Sequence, residues 1–186
     1  MPNAQVQVLE RPVLAPVRKI HEATVKIGDR TFVIPRDEDA LHLQWASGNI
    51  DAKNVISTIG RSCQIADDLV DERGMEDPGG KMVNLVTMLV GSLPNNDFYA
   101  RNRHMIEPVL ISSLLYWDLA NTLSKGSRND KIYAYAYREL IEQIVGIVAL
   151  LTGGPAHARQ SLLESHAFHH VLNCETFETY EKEVGA

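Results

Sequence analysis

From position 51 onward the apolar residues return at intervals of three and four. That spacing limits the fold more than any other property of the chain. Ile56, Ile59, Cys63, Ala66 and Val70 make one such stripe, and Tyr133, Tyr137, Leu140, Ile144, Ile147 and Leu151 make another. A third runs through Leu110, Leu114, Trp117 and Asn121. A helix with one apolar stripe must bury it against a neighbour, so several in succession predict a mainly α fold, a bundle of five or six helices. Met82–Leu93 is apolar nearly all round, which places it, with Leu140–Leu151, at the expected centre.

Punctuation sets the boundaries. Asp37 is placed to cap a short helix to about Ala46, and Asp51 one to about Arg73. Gly74–Gly80, with Pro78-Gly79-Gly80, reads as loop, and a helix over about 81–92 stops before Pro94. Asn96 or Asp97 caps a turn toward Pro108, which suits the first turn of a helix over 109–124. Asp130–Thr152 follows as a long helix, halted by Gly153-Gly154-Pro155. Ala156–Asn173 and a short amphipathic tail over 176–184, with Phe177, Tyr180 and Val184 on one side, complete the set.

The start of the chain differs. Residues 1–20 are punctuated by Pro2, Pro12 and Pro16 and read as an extended arm; 21–186 read as a single helical domain. Within it, 23–34 alternates around Gly28-Asp29, a two-residue turn with glycine first, as a type II′ hairpin requires. Pairing across it sets Val25 opposite Phe32 and Ile27 opposite Arg30, and gathers Ala23, Val25, Ile27, Phe32 and Ile34 on one face.

A formal charge of -6 argues against a nonspecific grip on nucleic acid, which needs a basic surface. Two cysteines, Cys63 and Cys174, on separate predicted helices suit a reducing compartment. The first seventeen residues lack the apolar core of a signal peptide, and the greasiest runs fall short of the roughly 20 residues that span a bilayer. The expectation is a cytoplasmic protein that binds neither nucleic acid nor membrane.

Three constellations could carry chemistry. Asp67-Asp68-Leu69-Val70-Asp71-Glu72 packs four carboxylates into six residues, with Asp67/Asp71 and Asp68/Glu72 paired at four. A bound Mg²⁺ would relieve their repulsion. The pattern Asp67-Asp68-x-x-Asp71 resembles the DDxxD motif by which class I isoprenoid synthases hold Mg²⁺–diphosphate. The chain is short for that family and lacks a second metal motif. The stripe from Ile56 to Val70 also turns Asp68, Asp71 and Glu72 to the wet side, as on a plain solvated face.

The second is Asp118-x-x-Asn121 on one helix with Glu139-x-x-Glu142 on the next. Carboxylates on an apolar surface must be paired, protonated or bound to a cation. The arrangement resembles the all-α nucleotide pyrophosphohydrolases, which hold Mg²⁺ against a triphosphate with ExxE and ExxD helices. Here Asp118 and Asn121 stand where those have glutamates. The resemblance implies Asp118, Asn121, Glu139 and Glu142 as metal ligands and Lys125, Arg128 or Lys131 on the phosphate. The competing reading is a hydrogen-bond network of Asn121, Arg138, Glu142 and Gln143 that fixes helix packing.

Third, His166, His170 and Cys174 are spaced by four, with His169 adjacent. One helical face with that spacing can hold zinc. Asn173 and Glu175 read as a helix end, however, which moves Cys174 off line and favours a simple histidine cluster.

The runs Ile65–Asp71, Leu93–Tyr99, Tyr116–Asn121 and Val148–Gly154 resemble helical proteins of tailed bacteriophages and prophages. The resemblance spans about 60–155 and implies a viral origin, with the host cytoplasm as its location. Two functions follow as expectations. One is a non-catalytic accessory protein that binds a protein partner, or its own copies, through the hairpin, the arm or the acidic tail. The other is a Mg²⁺-dependent phosphohydrolase acting on a phosphorylated small molecule. Mg²⁺ is the cofactor that the carboxylate patterns suggest.

Overall fold

The computed structural model describes residues 22–71 and 76–185, with no account of the Asp71 side chain. The arm over 1–20 and Glu72 therefore lie outside the described residues. The fold is mainly α with an N-terminal hairpin, as the periodicities require.

Strands β1 (Glu22–Ile27) and β2 (Arg30–Pro35) pair antiparallel with Val25 opposite Phe32 and Ile27 opposite Arg30. Gly28 turns the corner at φ 57, where glycine carries no Cβ penalty. Ala23, Val25, Phe32 and Ile34 are buried, while Glu22, Thr24, Lys26, Thr31 and Val33 on the other face are open to solvent. A lone hairpin is marginal in water, so its burial on the helices holds it.

Helix α1 (Glu38–Trp45) starts at the Asp37 cap, whose carboxylate accepts from the Ala40 N–H. Helix α2 (Ile50–Asp71) is capped by Asn49, which accepts from Ala52, and not by Asp51, which lies inside the first turn. Helix α3 (Pro78–Val86) begins earlier than the Pro-Gly-Gly run suggested. Asp77 caps it, so those residues form its first turn. A π turn (Thr87–Ser92) extends it. Helix α4 (Asp97–Leu123) runs unbroken through Pro108, where a boundary was expected. Proline inside a helix costs about 3 kcal/mol. The buried Ile106 and half-buried Val109 and Leu110 hold the helix on the core to either side of it.

Helix α5 (Arg128–Arg138) opens on a reciprocal cap between Ser127 and Asp130. A 3₁₀ turn (Glu139–Glu142) then leads into α6 (Gln143–His166), so the single helix expected over 130–152 is two. The path breaks at Gly154 (φ 79, ψ -177), where the Gly-Gly-Pro signal lies. A π turn (Ala167–Leu172) and helix α7 (Phe177–Glu183), capped by Thr176, complete the chain.

The core gathers Trp45, Val55, Ile59, Ile106, Ile144 and Val148, with the hairpin face packed against it. A smaller cluster seats Tyr180 against Ala120 and Ala134, with Phe177 and Val184 beside it. Leu140–Leu151 is central, as expected, but Met82–Leu93 is not. No residue of α3 or its π turn is buried; Val83 is 66% and Val90 73% exposed. An all-round apolar helix carries no phase to say which side faces inward. Here Leu85, Met88 and Leu93 turn in and the rest stays open. Leu114 is likewise exposed, because the inward line of α4 is Ile106, Ser113 and Ala120. Tyr133 lies outside the core, and Tyr135 packs against Phe177 and Tyr180 instead. By length and composition the helical stretch Arg128–Leu172 could cross a membrane, although the 3₁₀ turn and Gly154 interrupt it.

Candidate metal centre

Residues three apart eclipse in a 3₁₀ turn. The turn between α5 and α6 therefore stacks Glu139 and Glu142 on one side, an alignment that a plain helix would skew. The π turn after α6 carries His169 and His170 to the same place. One ligand atom each from Glu139, Glu142 and His170 lie within 4.8 Å of one another. Four ligands around an ion at about 2.1 Å sit about 3.4 Å apart, so modest side-chain rotation would close the set.

The histidine is held for that role. His170 Nε2 lies 3.2 Å from Glu139 Oε2. Its Nδ1 meets the Tyr135 hydroxyl at 2.8 Å and the Glu175 carbonyl at 2.6 Å. A proton on Nδ1, donated to that carbonyl, leaves the Nε2 lone pair facing the carboxylates. Metal-ligating histidines are commonly oriented this way. Cys174, with φ 58, is exposed and off this line.

Burial pushes both Glu139 and Glu142 above the usual carboxylate range, against the lowering pull of the nearby histidines. Burial depresses His169, but its hydrogen bond to Glu175 and the charges of Glu142, Glu175 and Glu139 outweigh that and raise it. That bond in turn lowers Glu175. Glu142 Oε1 is buried with no hydrogen-bond partner among the described residues. The Ser165 hydroxyl lies close enough to pull the carboxyl downward as a hydrogen-bonding neighbour, although the pair falls short of ideal hydrogen-bond geometry.

Glu142 and His169 border two cavities. The larger, 690 Å³, opens between α1, α2 and α6 and is floored by Trp45, Ile59 and Ile144. The smaller, 270 Å³, is lined by Asp67, Trp117 and Arg138 among others. Of the cluster, Glu142 reaches the wall of the larger chamber, which is big enough for a small molecule, and Glu139 borders only the smaller one.

The other carboxylates lie apart from it. Asp67 accepts from Trp117 Nε1 at 3.1 Å and Arg138 Nη2 at 2.8 Å, tying α2 to α4 and α5. Asp68 accepts from Lys81 at 2.9 Å, and Asp71 ends α2. Asp118 is exposed and Asn121 half-buried, and neither joins the cluster. Arg138 turns to Asp67 and Gln143 is exposed, so the packing network expected around Asn121 does not form.

The cations lie toward the far end of α5, about 16 Å from Glu139 for Arg128 and about 12 Å for Lys131 at 1.5 Å per residue, with Lys125 ahead of the helix. Lys125 is exposed there, and Lys131 is half-buried. Arg128 is bonded to Glu181 at 3.0 Å and lies over the Phe177 ring. In the sequence the glutamate pair and the histidines stand as two separate sets. Their convergence was signalled only by Glu-x-x-Glu and His-His lying at the two ends of one apolar segment.

No family model, curated protein or solved structure matches this chain.

Proposed function

We propose that the protein binds one divalent transition ion through Glu139, Glu142 and His170, and that the ion serves as a Lewis acid toward a small molecule held in the adjoining cleft. The observation that carries this reading is the paired fixing of the site. His170 is oriented through Nδ1 by Tyr135 and Glu175, while Glu142 keeps a buried, unpartnered oxygen. A cation supplies what that oxygen lacks and relieves the repulsion of two stacked carboxylates.

A mixed nitrogen and oxygen set favours Zn²⁺, Mn²⁺ or Fe²⁺ over the Mg²⁺ that the acidic patterns suggested, since Mg²⁺ prefers six oxygens. Three protein ligands leave a coordination position for substrate or water, as in catalytic zinc sites. His169, at the cleft wall and not itself a ligand, is placed to take up or hand on a proton. A phosphate bound at this ion would lie out of reach of Lys125, Arg128 and Lys131, which weighs against the phosphorylated substrate expected from the sequence.

The test is thermal denaturation in Zn²⁺, Mn²⁺ and Mg²⁺. A metal at a hundredfold excess over its Kd stabilises by about 2.7 kcal/mol, or roughly 5–10 °C for a chain of this length. Zn²⁺ or Mn²⁺ gives that shift, and Glu139→Gln and His170→Asn abolish it. Indifference to all three metals rejects the reading.

A second reading, an interaction protein, is favoured by the uncovered apolar surface. Met82, Val83, Val86 and Val90 on α3 and its π turn, and Ile111 and Leu115 on α4, are between 49% and 73% exposed. Apolar area left open in one chain marks a contact with another. This is the accessory role that the likeness to tailed-phage proteins implies, with the contact on α3 instead of the hairpin or the tail. Light scattering on the wild type and Val83→Glu/Val90→Glu tests it. Self-association lost in the variant supports the reading, and a concentration-independent monomer that captures no partner overturns it.

A further inference from the structure

The larger cleft holds a second chemistry, which stands apart from the metal reading. We infer that Ser57 and His42 form a nucleophile and base pair there, and that the cleft takes the acyl group from a small apolar ester and passes it to water.

The pair is built from two helices. Ser57 lies on α2 and His42 on α1, and Ser57 Oγ stands 2.9 Å from His42 Nδ1. A serine hydroxyl is a weak nucleophile until a base within hydrogen-bond reach takes its proton. Serines inside helices commonly return their hydroxyl to a carbonyl one turn back, as Ser62 does to Thr58. Ser57 bonds across to another helix instead. Both side chains are half-buried and line the 690 Å³ cleft, so the contact is open to a ligand.

The base is oriented and in the right form. The Trp45 ring packs on the His42 ring with centroids 5.4 Å apart, and Trp45 itself is fixed in the core. With Nδ1 accepting from the hydroxyl, the ring proton resides on Nε2. Glu38 and Asp39 on α1, Lys53 on α2 and His169 on the last π turn are the charges that act on the ring, Glu38 most strongly. Burial outweighs them and holds His42 below its ordinary 6.5. The imidazole is therefore neutral at pH 7, as a general base must be.

The surroundings suit an acyl group. Trp45, Ile56, Ile59, Ile144 and Val145 floor the cleft and fit an apolar chain. Gly60, one turn from Ser57 on the same side of α2, leaves open space where a Cβ would stand, so a carbonyl can come close to the hydroxyl. Arg61, one turn after Ser57, brings a guanidinium to that wall, where negative charge develops on the carbonyl oxygen. Lys53, one turn before, is paired with Asp39.

In the reaction Ser57 Oγ attacks the ester carbonyl as its proton passes to His42 Nδ1. The bond to the leaving oxygen breaks, and the alcohol departs with that proton. Water then attacks the acyl-serine, giving a proton to His42, which returns it to Ser57 as the carboxylic acid leaves.

The test uses phenylmethanesulfonyl fluoride, followed by intact and peptide mass. Its sulfur bonds to Oγ, fluoride leaves and the hydroxyl proton passes to His42. One sulfonyl group per chain is expected, on Ser57, with loss of 4-nitrophenyl butyrate hydrolysis in step. Ser57→Ala abolishes both, and His42→Gln slows labelling about a hundredfold. On the unsubstituted chain the labelling rate rises with pH through a value below 6.5 and is level from there to pH 8. That profile stands even where a variant fails to fold. All reactions are run in chelator, so failure of the metal reading leaves this result standing, and the reverse. No label, or label spread over other serines, overturns the inference. So does a rate unchanged in folded His42→Gln, or one that climbs with hydroxide up to pH 8; the 2.9 Å contact would then only join two helices.

Discussion

Replacing Glu142 by glutamine reverses sign with the metal, and that reversal separates a built ion site from a packing accident. In chelator, wild-type Glu142 keeps a buried oxygen with no partner, stacked by the 3₁₀ turn beside Glu139. Burial raises both carboxyls above the ordinary 4.5. A raised carboxyl means that the folded state holds its proton more firmly than the unfolded one. Stability is therefore complete below pH 4.5 and is lost as pH rises through the folded value. His169, raised above 6.5, adds loss in the same direction at higher pH. As pH rises the wild type comes to bear the cost of a buried carboxylate at Glu142. Removing it recovers about 1–2 kcal/mol from the range for one unsatisfied charged group, or roughly 3–6 °C in Tm. Glu142→Gln therefore melts above the wild type at pH 8 in EDTA and shows a flatter profile between pH 5 and 8. In Zn²⁺ or Mn²⁺ the order inverts, because only the wild type gains the ion. The assay is thermal denaturation followed by circular dichroism, with and without metal, across that pH range. A variant that melts below the wild type in EDTA would refute the reasoning, since Glu142 would then be stabilising the fold without a cation.

Three further outcomes follow from particular contacts. Asp67→Ala strips Trp117 and Arg138 of their shared acceptor and lowers stability by about 2 kcal/mol, seen as a fall in the urea midpoint with little change in slope. Gly154→Ala meets no neighbouring atom but places a Cβ on a backbone at φ 79, ψ -177, and costs about 1–3 kcal/mol in the same assay. Burial pushes the Cys63 thiol up to about 11, whereas Cys174 is exposed, so a thiol reagent at pH 8 titrates one cysteine quickly and the second only on unfolding.

Much of the local structure was legible in the residues. The hairpin register followed from glycine at the one position needing positive φ, and the Asp37 and Asn96 caps from their side chains. The tail's amphipathic side, Phe177, Tyr180 and Val184, packs as its spacing required. What periodicity could not supply was the choice of neighbour. It gave α3 no inward side, and it set Tyr133 in the core where the structure places Tyr135. The residues alone pair Glu139-x-x-Glu142 with Asp118-x-x-Asn121 through their likeness to the pyrophosphohydrolase pattern. The structure instead completes the glutamate pair with His170, from the end of the following helix. Two departures from the α-helix make that meeting, a tightened 3₁₀ turn and a widened π turn. Neither leaves a mark in an apolar pattern, because each shifts the phase by less than one residue per turn.

The most direct test is to count bound metal. Chelator-stripped protein is dialysed against Zn²⁺ or Mn²⁺ and the ion measured per chain by elemental analysis. One ion per chain is expected in the wild type and in Asp68→Asn and Asp118→Asn, with little or none in Glu139→Gln, Glu142→Gln or His170→Asn. Stoichiometric metal in the last three, or none in the wild type, would contradict the assignment of those residues as an ion site.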